Sequence, residues 1–233
     1  NVVGYLIFFA SAAFLRTPES YVQPPASGRS VLGDIADGAR YILGHRGVTA
    51  LLLLMLMGDA MSTAVYQMLP AIADRMLDRG VAGMSGLLSA AGFGATLAAL
   101  WLAHGGAARA KADRVLWAFL ALTLATAVLL FAGSLPIAIA AMVAFGFAGE
   151  TRSTGTVSIL QTSVSDAQRG RVMSTQFMLK RMAGGAGTIL IGAAAQRYGL
   201  RTPMLIAAGL AMAAWAIAFA NRKPILAAFR KPA

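Results

Sequence analysis

Apolar residues come in blocks near the length of a membrane crossing, separated by short polar breaks. Six such blocks lie at about 47–73, 82–103, 115–132, 136–160, 171–194 and 203–220. A helix needs about 20 predominantly apolar residues to cross a hydrocarbon core about 30 Å thick. The pattern therefore predicts an all-α polytopic membrane protein with a six-transmembrane-helix bundle over residues 47–220. A shorter apolar run, Val2 to Leu15, falls short of a bilayer at about 1.5 Å per residue. Residues 1–15 are thus expected to be the end of a truncated transmembrane helix, and the opening Asn1 in place of Met points to a piece of a longer protein.

The breaks have their own character. "RTPESYVQPPASGRS" is a Pro- and Ser-containing loop. In the following "VLGDIADGARYILGHRG", Val31, Leu32, Ile35, Ala39, Ile42 and Leu43 recur at helical spacing, while Asp34, Asp37, Arg40 and Arg46 mostly fall elsewhere. This predicts a short amphipathic helix lying on a membrane surface or on neighbouring loops. Residues 16–46 form one connecting segment, and "NRKPILAAFRKPA" gives a basic tail over 221–233.

Composition agrees with the pattern. Only 12% of residues are charged, against about 25% in soluble domains, and the mean hydropathy is +0.68. The net charge of +11 would suggest nucleic acid in a soluble chain. Here basic residues flanking membrane helices account for it, so no nucleic-acid partner is expected and a lipid bilayer is. One set of connections carries 13 Lys and Arg, at 16, 29, 40, 46, 109, 111, 114, 169, 171, 222, 223, 230 and 231; the other carries four, at 75, 79, 197 and 201. The positive-inside rule puts the first set in the cytoplasm, with the C-terminus. With no cysteine in the chain, disulfides and thiolate chemistry are excluded.

Small residues recur every four positions at Gly86, Ala90, Gly94 and Ala98, and at Gly184, Thr188 and Gly192. Such stripes let membrane helices approach closely. "AGGAG", residues 183–187, could also soften its helix. The polar turn "QTSVSDAQRGRVMS" begins a helix: Ser165 can cap it, with Gln168 three residues on closing a capping box, and Arg169 and Arg171 can sit at anionic headgroups.

Together these features resemble the C-terminal half of a major facilitator superfamily transporter. "LQTSVSDAQRGRVMSTQF" is similar to a Q-x-x-V-P-D-x-x-R-G-R-V-M-S turn found in the branch of the enterobactin exporter and drug-efflux-like permeases, with Asp166, Arg169, Gly170 and Arg171 as its matching residues. "GAAAQRYGLRTPMLIAAGL" resembles the helix pair that follows. Ser165 replaces the motif's Pro, and "WLAHGGAARAKADR" keeps basic residues of the family's gating loop but lacks an acidic residue near its start. The resemblance implies a multi-pass protein of the bacterial inner membrane, a proton-coupled exporter of a small siderophore- or drug-like molecule. It also implies a missing N-terminal six-helix half as partner, with 16–46 as the cytoplasmic loop between halves.

Ionisable groups deep in a membrane helix are expensive and tend to face a cavity or a partner. Asp59 lies near the middle of the first block, with Thr63, Tyr66 and Pro70 in line and Ser62 and Gln67 adjacent. Glu150 lies near the middle of the fourth, with Thr154, Ser158 and Gln161 in line; Arg152 faces roughly the other way, toward Thr156. Lys180 and Arg181 sit inside the fifth, Lys180 on a face with Gln176 and Gly184. Two readings stand: structural ion pairs, such as Glu150 with Lys180, or a lining for a substrate or proton path formed by Asp59, Tyr66, Gln67, Glu150, Arg152, Lys180 and Arg181. Burial disfavours a carboxylate's charge and a nearby cation favours it, so a balanced carboxylate can load and release a proton. Glu150 is the expected coupling group and Asp59 the alternate. The competing functions are a truncated, non-transporting fragment or scaffold and a membrane-integral enzyme. No H-E-x-x-H, G-x-S-x-G or Walker loop is present, and the distant His45 and His104 make no metal site, so neither catalysis, a cofactor nor a metal is expected.

Overall fold

A computed structural model describes residues 9–10, 31–44, 46–105, 112–164 and 166–223. The chain divides into two compact units, Asn1–Asp34 and Ile35–Ala233. In the first, Phe9, Ala10 and residues 31–34 are helical. The rest of the expected truncated helix, the whole of the 16–30 loop, the 106–111 connection, the Ser165 cap and the tail beyond Lys223 lie outside the described residues.

The described elements are α-helices: α1 (Val31–Gly44), α2 (Arg46–Arg75), α3 (Gly80–Gly105), α4 (Ala112–Phe131), α5 (Leu135–Ser163), α6 (Asp166–Tyr198) and α7 (Arg201–Ala220). The six blocks read from the sequence correspond to α2–α7, with ends shifted by at most five residues. Among the described residues, five helices are long and apolar enough to cross a membrane: α2, α3, α4, α5 and α7. The sixth, α6, has 33 residues, about 50 Å of helix, but Arg169, Arg171, Lys180, Arg181 and Arg197 dilute its apolar composition.

The turns follow from their residues. Between α2 and α3 the chain reverses through Asp78 and Gly80, both with φ of 50°. This left-handed region is open to Gly and, among other residues, most readily to Asn and Asp. The Arg79 amide donates to the Ala73 carbonyl at 3.0 Å and closes the end of α2. Gly199, at φ 74°, turns α6 into α7. The α4–α5 turn runs through Ser134, with Pro136 in the first turn of α5, where its missing N–H has no intrahelical partner to lose.

Close packing centres on α5, which has its most extensive contacts with α3 and α4; α2 pairs chiefly with α6, and α7 packs chiefly on α4. Two glycines bring α3 and α5 together reciprocally. A Cβ on Gly146 would lie 2.7 Å from the carbonyl carbon of Ala91, and one on Gly94 would lie 2.9 Å from the Phe147 nitrogen. On the α2–α6 seam a Cβ on Gly184 would meet Thr63 Oγ1 at 2.8 Å, and one on Gly187 the Ala60 carbonyl at 2.7 Å. The stripes expected from sequence thus hold at Gly94 and Gly184, and Ala90 and Ala98 of the first stripe are buried. Gly86 has open space beside it and Gly192 only an ordinary contact with Met68. "AGGAG" lies in continuous helix, its Gly187 serving the seam.

The polar ends of the helices are tied to one another. Arg169 Nε donates to the Gln161 carbonyl at 2.9 Å, satisfying the C-terminal end of α5 from the start of α6. Helix α1 rests on α6 at Gly38, where a Cβ would lie 2.8 Å from the Arg171 carbonyl oxygen, and Arg171 Nη1 pairs with Asp37 Oδ2 at 3.6 Å. Its apolar face is narrower than the periodicity suggests: Ile42 is buried but Leu43 is exposed. Where α4 begins and α7 ends, Trp117, Trp215 and Phe219 cluster with centroids 4.9 to 5.9 Å apart, and Arg222 lies 4.1 Å over Phe219. Such aromatic groups suit a membrane–water interface.

Candidate functional site

Three of the chain's 20 Lys and Arg residues lie inside the bundle helices and away from their ends: Arg152, Lys180 and Arg181. The structure brings the first two to one carboxylate, Asp59. Arg152 Nη2 donates to Asp59 Oδ1 at 2.7 Å, and Arg152 Nη1 donates to the Met55 carbonyl, one turn earlier on α2, at 3.0 Å. Lys180 Nζ stands 3.9 Å from the same Asp59 oxygen and donates to Ser153 Oγ at 2.9 Å. Helices α2, α5 and α6 therefore meet through one negative and two positive groups.

Gly58 makes room for the guanidinium, since a Cβ there would lie 2.8 Å from Arg152 Nε and 2.9 Å from its Cζ. The Arg152 and Asp59 side chains are 2% and 7% exposed. Charges so far from water need a partner, because each loses several kcal/mol of hydration on burial, by an order-of-magnitude estimate. The pairing is nevertheless incomplete. Asp59 Oδ2 and Arg152 Nε are buried without a hydrogen-bond partner, as are the hydroxyls of Ser62 and Thr151. Gln176, expected on the Lys180 face, is buried and donates from Nε2 to Met55 Sδ at 3.3 Å.

Asp59, Lys180 and Arg181 line a cavity of about 680 Å³ between α2 and α6 with Val157 of α5 at its edge. Thr63 and Gln176 also reach it. Arg152 stands behind Asp59, outside the lining. Arg181 is exposed and stacks 5.1 Å over the Phe177 ring.

Glu150 belongs elsewhere. Its carboxylate accepts a hydrogen bond from Thr154, one turn on, as the helical spacing predicts. The expected ion pair with Lys180 does not form, and among the described residues no cation pairs with Glu150. The Lys180 ammonium instead lies between Ser153 and Asp59, while Glu150, about 200° around α5 from Arg152, accepts from Thr154. Tyr66 lies within electrostatic reach of Glu150 and packs edge-on against Phe145 of α5 at 5.5 Å. Neither Glu150, Tyr66 nor the exposed Gln67 lines the α2–α6 cavity. Of the turn motif, Arg169 and Arg171 make the contacts given above, Gly170 has open space beside it, and the Asp166 side chain lies outside the described residues. Sequence reasoning missed Gly58, whose only signal was its place next to Asp59, and Ser153, the hydroxyl that holds Lys180.

Comparison with known proteins now decides the family. A family model described as "transmembrane secretion effector" matches residues 1–230. The chain belongs to that family, within the major facilitator superfamily. No curated protein sequence matches it. Among solved structures, it is similar to the E. coli fucose:proton symporter FucP, with a TM-score of 0.66 and 14% identity. The match covers 97% of this chain and 53% of the symporter, so the chain spans about half of that protein's length. At that identity the likeness is one of fold. Family and fold point to a multi-pass membrane transporter rather than an enzyme.

Proposed function

We propose that this transmembrane secretion effector chain is the C-terminal six-helix half of a proton-coupled exporter of a small organic molecule. In this reading 47–220 is the membrane bundle and 16–46 the cytoplasmic link from an N-terminal half. The tail over 221–233 is cytoplasmic, and the membrane is a bacterial inner membrane. The observation that carries it is the set Asp59, Arg152 and Lys180, three charges joined inside a bundle of apolar helices beside a cavity. A passive scaffold gains little from such a set, since an apolar replacement of similar volume is often as stable or more so. Intramembrane charges instead mark solute and ion paths. Glu150, outside the ion-pair set and near Tyr66, is the proposed proton carrier, and Asp59 the alternate.

The test is reconstitution of the full gene product in liposomes with a trapped pH-sensitive dye. Addition of a transported solute should move protons, and a protonophore should abolish solute accumulation. Solute accumulation indifferent to the pH gradient would overturn proton coupling. Failure to move any of a broad panel of organic acids, amines and neutral solutes would favour a non-transporting chain.

A further inference from the structure

The charges around the cavity do not cancel. Among the described residues Asp59 is its one acidic lining residue, and that charge is already paired at 2.7 Å by Arg152, which stands outside the lining. Two cations remain on the cavity wall. Lys180 is partly exposed and 3.9 Å from Asp59, so it is held less tightly than Arg152. Arg181 is exposed, rests on Phe177, and among the described residues makes no ion pair. They are consecutive on α6, about 100° apart around the helix, and both reach the cavity. The rest of the lining is largely apolar: Val157, Met173 and the exposed ring of Phe177. A volume of about 680 Å³ falls within the usual range for drug-sized ligands, about 300–1,000 Å³.

We infer that this cavity accepts an amphipathic organic anion, its carboxylate between Lys180 and Arg181 and its apolar body against Phe177, Val157 and Met173. The inference rests on the transporter reading and adds the class of substrate to it. A cationic solute would meet a wall of net positive charge, since Asp59 is shared between Arg152 and Lys180, and Arg181 adds a further cation. A neutral one would fill the apolar part but leave Lys180 and Arg181 to water. An anion satisfies both halves of the wall. Arg152 then serves a second purpose, since by neutralising Asp59 it removes the repulsion that an incoming carboxylate would otherwise meet.

The test uses three probes of one shape: 1-naphthoate, 1-naphthamide and 1-naphthylmethylammonium. Their binding is measured by calorimetry on the full gene product in phosphatidylcholine nanodiscs, which carry no net charge. Naphthoate should bind about tenfold more tightly than naphthamide, a modest charge effect of the size expected at a partly exposed site, and the ammonium probe most weakly. Lys180→Gln should weaken naphthoate several-fold more than naphthamide, Lys180→Arg should retain the preference, and Lys180→Gln with Arg181→Gln should erase it. Equal affinities, a preference for the cation, or no binding by any probe would overturn the inference. So would loss of naphthoate binding when phosphatidylglycerol is included, which would assign the two cations to a lipid headgroup. The same probes in liposomes separate the two claims. Preferential naphthoate binding without movement would sink the transporter reading alone; transport of naphthamide and naphthoate at equal rates and affinities would sink the anion preference alone.

Discussion

Arg152 and Asp59, 93 residues apart in the chain, meet at 2.7 Å in the interior of the bundle. The arginine reaches from α5 across to α2 and binds the Met55 carbonyl as well. This clasp joins two helices that otherwise touch each other only sparingly, each having its main partners elsewhere. Breaking one side should therefore be felt strongly. Asp59→Asn or Arg152→Gln should each destabilise the protein by about 3–5 kcal/mol, the usual range when one member of a buried ion pair is left alone. The double variant should be less destabilised than the two effects added. Thermal unfolding of the four proteins in one detergent, read as a double-mutant cycle, checks this. Additive losses would mean that the two groups do not support each other.

Glycines supply a second stability test, because at several of them, Gly58 and Gly146 included, the space is already taken. Gly58→Ala would press on the Arg152 guanidinium, and Gly146→Ala on the Ala91 backbone. Overpacking costs about 1–3 kcal/mol and occasionally more. Gly146 should be the worse, since a backbone cannot swing aside as an arginine can. Gly209→Ala, with nothing within 4 Å, should be neutral or slightly stabilising through helix propensity. A Gly146→Ala melting temperature equal to that of Gly209→Ala would contradict the tight α3–α5 seam.

The helices were legible in the sequence because the membrane imposes a length and a composition that leave long apolar blocks. Even α6, whose charges disqualify it by composition, was marked by the polar turn before it. The choice of ion-pair partners was not legible. Spacing along α5 separates Glu150 from Arg152 by about 200°, which says that they face apart but not which one looks toward α2. That depends on how each helix is rotated and tilted against its neighbours. Hence Asp59, Arg152 and Lys180 were each recognisable as costly residues, while their convergence, and the separation of Glu150 from Lys180, required the fold. The glycine stripes were read more reliably: periodicity found Gly94 and Gly184 but also selected Gly86, because a one-dimensional repeat cannot tell a packed face from an open one.

Topology is testable without a substrate. Reporter fusions at Arg109, Gln168 and Ala233 should report the cytoplasm, and fusions at Asp78, Ser134 and Tyr198 the opposite side, as the distribution of Lys and Arg requires. Removing the positive charges of Arg169 and Arg171 should weaken this orientation; losing Arg169 also releases its hold on the Gln161 carbonyl. A Tyr198 reporter on the same side as the Gln168 reporter would overturn the assignment of α6 as a crossing helix.

The last prediction separates the two intramembrane carboxylates. Asp59 is held by Arg152 at 2.7 Å and lies 3.9 Å from Lys180. Among the described residues Glu150 has no such cation, only the Thr154 hydroxyl. A group without a fixed counter-ion is the better one to exchange a proton, because neither state breaks an ion pair. Glu150→Gln keeps size and hydrogen bonding but fixes the neutral form. It should change stability by no more than about 1 kcal/mol, as for substitutions that leave no buried charge alone. It should also lower pH-gradient-driven transport at least about tenfold, as expected when a proton-transfer group is removed. Glu150→Asp should keep part of the pH dependence. Asp59→Asn should instead lose stability, as the ion-pair cycle predicts. Transport by Glu150→Gln with unchanged pH dependence, beside a folded Asp59→Asn that has lost it, would transfer the coupling role to Asp59. A large loss of stability in Glu150→Gln would show that the carboxylate holds the bundle together.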